Sequence, residues 1–138
     1  AGKSNSFEIQ SRLQEMMQDL VGIVRTGPEL EQAIGNIMGL QEEARQVSCD
    51  GNRGYNPGWH TAIELTHMLT VAEAIARAAS HRKESRGGHF REDFPEKSEG
   101  MGNVNISIVK DNAGGMTVQS IPKQSLRHDL QEIITEMK

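Results

Sequence analysis

His60, Glu64 and His67 stand at spacings of four and three, so a helix carrying them presents two imidazoles and a carboxylate on one face. Those groups can hold a divalent metal, and Glu64-x-x-His67 is half of the pattern found in carboxylate di-iron bundles. A di-iron centre needs a second Glu-x-x-His, and a zinc site needs a fourth donor. The chain has neither a second copy nor any thiol but Cys49. The same three residues read as a polar helix face with hydrogen-bonded histidines, and no metal ligand is expected among them. Cys49 lies in the loop-forming run Ser48-Cys49-Asp50-Gly51-Asn52-Arg53-Gly54-Tyr55, with no histidine at a fixed helical spacing from it. A bystander thiol is therefore expected, not a nucleophile. The 14 glycines include no G-x-G-x-x-G, no G-x-x-x-x-G-K-S/T occurs, and one cysteine makes C-x-x-C impossible, so no dinucleotide, P-loop or dithiol chemistry is written here.

The strongest concentration of charge is basic. Arg77, Arg82, Lys83, Arg86 and Arg91 fall within fifteen residues whose only acid is Glu84, with His81 and His89 interleaved. Such a run suits an anion, a nucleic acid or an acidic partner surface. It also suits a solvated helix end, where cations complement the C-terminal dipole. The whole chain carries 15 basic and 19 acidic residues, net −4, and only five aromatics, which disfavours nucleic acid.

Three helices must position these groups. Ile9, Leu13, Met16, Met17, Leu20 and Val24 recur at helical spacing, with Ser6 as the expected cap and an end near Thr26–Gly27. Pro28 opens a second helix with Leu30, Ala33, Ile37, Leu40, Ala44 and Val47 on one seam, and Gly35 and Gly39 beside it where another backbone could approach. Asn56-Pro57 opens a third along Ala62, Leu65, Leu69, Ala72, Ala76 and Ala79, running on to a break at Gly87-Gly88. The spacing of Met16, Met17, Met38 and Met68 favours core packing over a plastic binding surface. His89 to Gly102 reads as loop. Val104, Ile106 and Ile108 alternate with polar residues, Asp111 to Gly115 is a turn, and Met116, Val118 and Ser120 alternate again, making a hairpin. Leu126, Leu130, Ile133, Ile134 and Met137 mark a last amphipathic helix with Ser125 as its expected cap. The expected fold is mainly α: an antiparallel three-helix bundle followed by a small β-hairpin and a terminal helix. Residues 1–95 form the bundle and its arginine segment; residues 96–138 pack on the bundle or on a neighbouring domain.

At 138 residues and 36% hydrophobic composition one core is expected, and disorder is excluded. No apolar run approaches the ~20 residues that cross a bilayer, so no direct membrane insertion is expected. The first residues carry no apolar stretch, so no signal peptide is expected, and the single cysteine fits a reducing compartment. A start without methionine suggests an excised piece or a tag scar.

Arg82-Lys83-Glu84-Ser85-Arg86-Gly87-Gly88-His89-Phe90-Arg91-Glu92-Asp93-Phe94-Pro95 resembles the R-x-E-S-R-G-x-H-x-R-x-D-F/Y-P segment of the flavoprotein subunit of succinate dehydrogenase and fumarate reductase. Ala62 to Leu69, with Val71-Ala72-Glu73, resembles the helix before that segment, and Gly22-Ile23-Val24-Arg25-Thr26 its G-I-x-R-T/S turn. L-aspartate oxidase shares much of the segment. The tail, with Ile121-Pro122 and Leu126-Arg127-His128-Asp129-Leu130, is closer to the dehydrogenase type. Gly88 departs from the alanine of many relatives, a change without chemical consequence.

The resemblance implies a C-terminal module packed on the FAD-binding domain of a parent that interconverts succinate and fumarate. Electrons would pass through FAD to an iron–sulfur subunit held with a membrane anchor at the cytoplasmic face. The family's flavin-binding and catalytic motifs belong to preceding domains, so no catalytic or cofactor-binding residue is expected here. Arg82, Glu84, Arg86, His89 and Arg91 are expected to form an interdomain docking network, since arginine's planar fork makes bidentate contacts with carboxylates. The alternatives are the corresponding module of L-aspartate oxidase and a free-standing helical binding module that uses the basic segment.

Overall fold

The computed structural model describes residues 5–137, so most of the N-terminal stretch read for a signal lies outside the described residues. Helix α1 (Ser6–Leu20) is capped by Asn5, whose side chain accepts from the Phe7 N–H at 3.0 Å. The cap is thus one residue before the expected Ser6, which is buried as the first helical residue. Ile9 and Leu13 are buried, with Met16, Met17 and Leu20 packed half-buried against the core. The helix ends at Leu20, short of the expected Thr26–Gly27. A distant segment claims the backbone there: β1 (Val24–Arg25) pairs in parallel with β2 (Phe90–Arg91), and Val24 is exposed instead of lining the helix face.

Helix α2 (Gly27–Ala44) opens on a capping box. Thr26 accepts from the Glu29 N–H, and the Glu29 carboxylate accepts from the Thr26 N–H at 2.9 Å. Leu30, Ala33, Ile34, Ile37 and Leu40 are buried. A methyl at Gly35 or Gly39 would meet no atom within 4 Å, so neither glycine serves a close backbone approach within this chain. Helix α3 (Pro57–His81) starts at Asn56, which accepts from the Trp59 N–H, and buries Leu65, Leu69, Ala72, Glu73, Ala76 and Ala79. It stops at His81, with Arg82 already extended, so the arginine segment is a loop and not the helix continuation expected up to Gly87. The three helices pack on one another around a single core. Because α2 reverses the chain between them, α1 and α3 run parallel and finish at the same end of the bundle. Met38 is 54% exposed, against its expected place in the core.

The stretch expected as loop holds β2 and a short α4 (Glu99–Gly102). Strands β3 (Val104–Lys110) and β4 (Met116–Pro122) form an antiparallel hairpin in register Val104↔Pro122 to Lys110↔Met116. Its turn is held by the Asp111 carboxylate, which accepts from the Ala113 and Gly115 N–H groups. The hairpin rests on α3, where His81 Nε2 lies 2.9 Å from Ser120 Oγ. Helix α5 (His128–Glu136) begins after Arg127 with no side-chain cap, so Ser125 does not serve as one. None of its residues is buried.

Candidate functional site

Two segments more than sixty residues apart in sequence are sewn into one unit at the far end of α1 and α3. The Phe90 N–H donates to the Ile23 carbonyl and the Glu92 N–H to the Arg25 carbonyl, both at 3.1 Å. The Gly27 N–H donates to Asp93 Oδ2 at 3.0 Å. A Cβ at Gly27 would sit 2.9 Å from that same oxygen and 3.3 Å from Arg91 Nη2, so a larger residue there has to displace the Asp93–Arg91 pair. Arg25 bridges the two sides, donating from Nε to the Gly22 carbonyl and from Nη1 to His89 Nδ1.

Glu84 sits at the centre with none of its surface exposed. Arg86 grips it with two prongs, Nε at 3.0 Å and Nη2 at 3.1 Å. Arg82 Nη1 and the Ser98 N–H also donate to it. These donors, Arg86 first, hold its carboxyl down to about 2 despite the opposing pull of burial. A carboxylate so committed is no proton acceptor. The chain turns tightly just after it: Arg86 and His89 exchange backbone hydrogen bonds around Gly87, whose φ is +61°.

Arg91 is 2% exposed and performs two tasks at once. Its Nη1 reaches the Ala79 and Ser80 carbonyls at 3.1 and 3.2 Å, groups that the end of α3 leaves without helical partners. Its Nε and Nη2 meet both oxygens of Asp93 at 2.8 and 2.7 Å, and its guanidinium lies over the Phe94 ring. Arg91 first, then the Gly27 N–H, holds Asp93 down to about 2. The ion pair therefore places a cation at the C-terminus of α3 and an anion at the N-terminus of α2, where each helix dipole favours it. Ser85 Oγ accepts from the Arg91 N–H and reaches the Phe94 carbonyl, fixing the loop from inside.

His89 has a defined tautomer on chemical grounds. A guanidinium only donates and a carbonyl only accepts, so Nδ1 accepts from Arg25 while Nε2–H donates to the Arg82 carbonyl at 3.0 Å. Burial, followed by the charges of Arg25, Arg91 and Arg82, lowers its pKa and favours this neutral form.

The structure brings all five expected residues, Arg82, Glu84, Arg86, His89 and Arg91, into one network. Glu84 and Arg91 are spent on contacts within this chain, whereas Arg82, Arg86 and His89 keep partly exposed surface. Arg77 lies outside the network, on α3, paired with Glu73 at 2.7 Å. Arg25, Ser85, Asp93 and Ser98 are members to which sequence reasoning gave no role. Three of them stand within the family-like motifs, which was the available signal; Ser98 carried none. His60, Glu64 and His67 are exposed, and among the described residues no three His, Cys, Asp or Glu side chains assemble a metal-binding group. Cys49 Sγ donates to the Gly58 carbonyl. What the network can do is hold a fixed, cation-rimmed shape; it offers no free base or nucleophile.

Residues 10–133 match the family described as "Fumarate reductase flavoprotein C-term". The chain is 39% identical over 95 residues to a polypeptide of the CoM/CoB fumarate reductase of Methanothermobacter marburgensis, covering 69% of this chain and 17% of that one. It is 32% identical over 122 residues to a fumarate reductase flavoprotein subunit of Mycobacterium tuberculosis, covering 88% and 21%. An L-aspartate oxidase of Yersinia pestis is 40% identical over 87 residues, covering 63% and 15%. Among solved structures, Mycobacterium smegmatis Sdh1 in complex with UQ1 superposes with a TM-score of 0.84 at 35% identity, covering 95% of this chain and 22% of that one. The chain thus spans about a fifth of the relatives it matches.

Proposed function

Because this chain belongs to the fumarate reductase flavoprotein C-terminal family, we propose that it is the non-catalytic C-terminal module of a flavoenzyme that interconverts succinate and fumarate. The observation that carries this reading is the match of residues 10–133 to that family, together with flavoprotein relatives of which the chain covers about a fifth. FAD belongs to the rest of the parent, since the residues here do not fit it: no glycine-rich phosphate turn occurs in the sequence, and the buried cations are committed to carboxylates and carbonyls. No step of the reaction is assigned to a residue of this chain.

In this reading the division falls at residue 95: the three-helix bundle with its arginine segment lies before it, and the hairpin and the terminal helix after it. Glu84 and Arg91 set the shape of the segment from within. Arg82, Arg86 and His89 turn their remaining surface toward the FAD-binding domain, and the assembled parent passes electrons to an iron–sulfur subunit carried by a membrane anchor. Among the described residues no helix is long and apolar enough to cross a membrane. The family resemblance, and not that absence, is the ground for putting the parent at the cytoplasmic face through its partners.

An antibody raised against this chain tests the reading on source-cell lysate. A flavin-carrying polypeptide several times heavier than the chain, oxidising succinate or reducing fumarate, is the expected result. A free polypeptide of this length would overturn it in favour of a helical binding module. The 40% identity to an L-aspartate oxidase supports a second reading, which the same purified parent decides by oxidising L-aspartate in place of succinate.

A further inference from the structure

The hairpin is tied to the end of α3 through His81 and Ser120, and its distal half lies over the middle of α3 and the end of α2. A cleft of about 590 Å³ opens beneath that half. Leu69 and Ala74 of α3 line it on one side, and Ile108 and Met116 of the two strands on the other. Clefts of ~300–1,000 Å³ with apolar walls and a few polar groups are the usual seats of small molecules.

The charges in this lining are sorted by sign. Glu73 is its one carboxylate, 8% exposed, and both of its oxygens are already answered. Gln41 Nε2 donates to Oε2 and Arg77 Nε to Oε1, each at 2.7 Å. The lining cations, Arg45 and Lys110, are both exposed and so stand at the mouth. The ion pair that Arg45 makes with Glu42 is open to water on both sides and weakly held. Among the described residues the Lys110 ammonium has no hydrogen-bond or ion-pair partner.

We propose that this cleft binds a small amphipathic anion, a carboxylate with an apolar chain, in a site that stands independently of the reading given above. The chain lies against Leu69, Ile108 and Met116, and the head meets Lys110 and Arg45. A ligand bearing an ammonium group finds the only carboxylate of the lining spent on Gln41 and Arg77.

Photolabelling tests this on the native polypeptide that carries the chain, purified from its source. The probe is octanoic acid with a diazirine on its chain, the control is the octylamine of the same design, and labelled peptides are read by mass. The acid should mark the lining segments 66–74 and 108–116 about fivefold more strongly than the amine, the factor of one exposed ion pair at its strongest. Excess octanoate should remove that label. Ala74→Leu, which fills the cleft, should cut the labelling about tenfold. Lys110→Glu should cut it about fivefold, and its exposed position on the hairpin keeps the test decisive where Ala74→Leu does not fold. Equal labelling by acid and amine, absence of label from both segments, or labelling indifferent to Lys110→Glu would each overturn the proposal.

Discussion

Glu84 gathers two guanidiniums and a backbone N–H inside the protein, and most of the segment's shape depends on it. Removing that acceptor leaves the Ser98 N–H and two partly exposed guanidiniums without their shared partner, which typically costs about 1–3 kcal/mol. Glu84→Ala should therefore lower the urea midpoint far more than Lys83→Ala, whose side chain is exposed; equal small shifts would disprove the central role. Acid should act through the same group. Glu84 and Asp93 titrate at about 2 when folded, below their ordinary 4.5 and 3.8, so the unfolded chain binds protons first. Their contribution is complete above about pH 4.5 and is lost as the pH falls toward 2. Urea midpoints measured at pH 7, 4 and 3 should fall from each to the next, most steeply between 4 and 3, and a flat profile would contradict the assignment. The identities in this network were legible in the sequence as a dense basic run around one acid. Their partners were not, because Arg25, Gly27, Ser98 and the carbonyls of α3 are brought in by the fold and share no local spacing with the run.

At the scale of elements, boundaries failed where a distant segment intervened. Periodicity alone would carry α1 through Val24 and α3 through Arg86. The β1–β2 pairing stops the first, and Arg91 with Glu84 stops the second by offering better partners than another helical turn. Turn chemistry was more local and therefore more legible, and the two adjacent glycines separate cleanly. Gly87 holds φ at +61°, whereas Gly88 has an ordinary φ and open space for a methyl. Gly87→Ala should cost about 1 kcal/mol or more and Gly88→Ala nothing measurable, consistent with alanine being tolerated there. Thermal melts of the two variants check this, and equal melting temperatures would refute it.

For the whole molecule, three seams of apolar residues sufficed to read a three-helix bundle with a hairpin and a terminal helix, because the core pattern is continuous along each helix. What the seams could not show is how little α5 contributes to that core. A chain ending at Lys123 should melt within about 2 °C of the full one, less than a 1 kcal/mol loss would produce at this size; a larger drop would mean α5 packs on the bundle. The opposite holds at the bundle's other margin. A chain cut after His81 would keep every buried apolar residue, yet lose the cation that closes α3 and the acid at the head of α2. The smallest self-sufficient fragment is then set by a salt link made after the last helix of the bundle. A ribosome releasing this protein would finish all three helices before it supplied the clasp that fastens their ends.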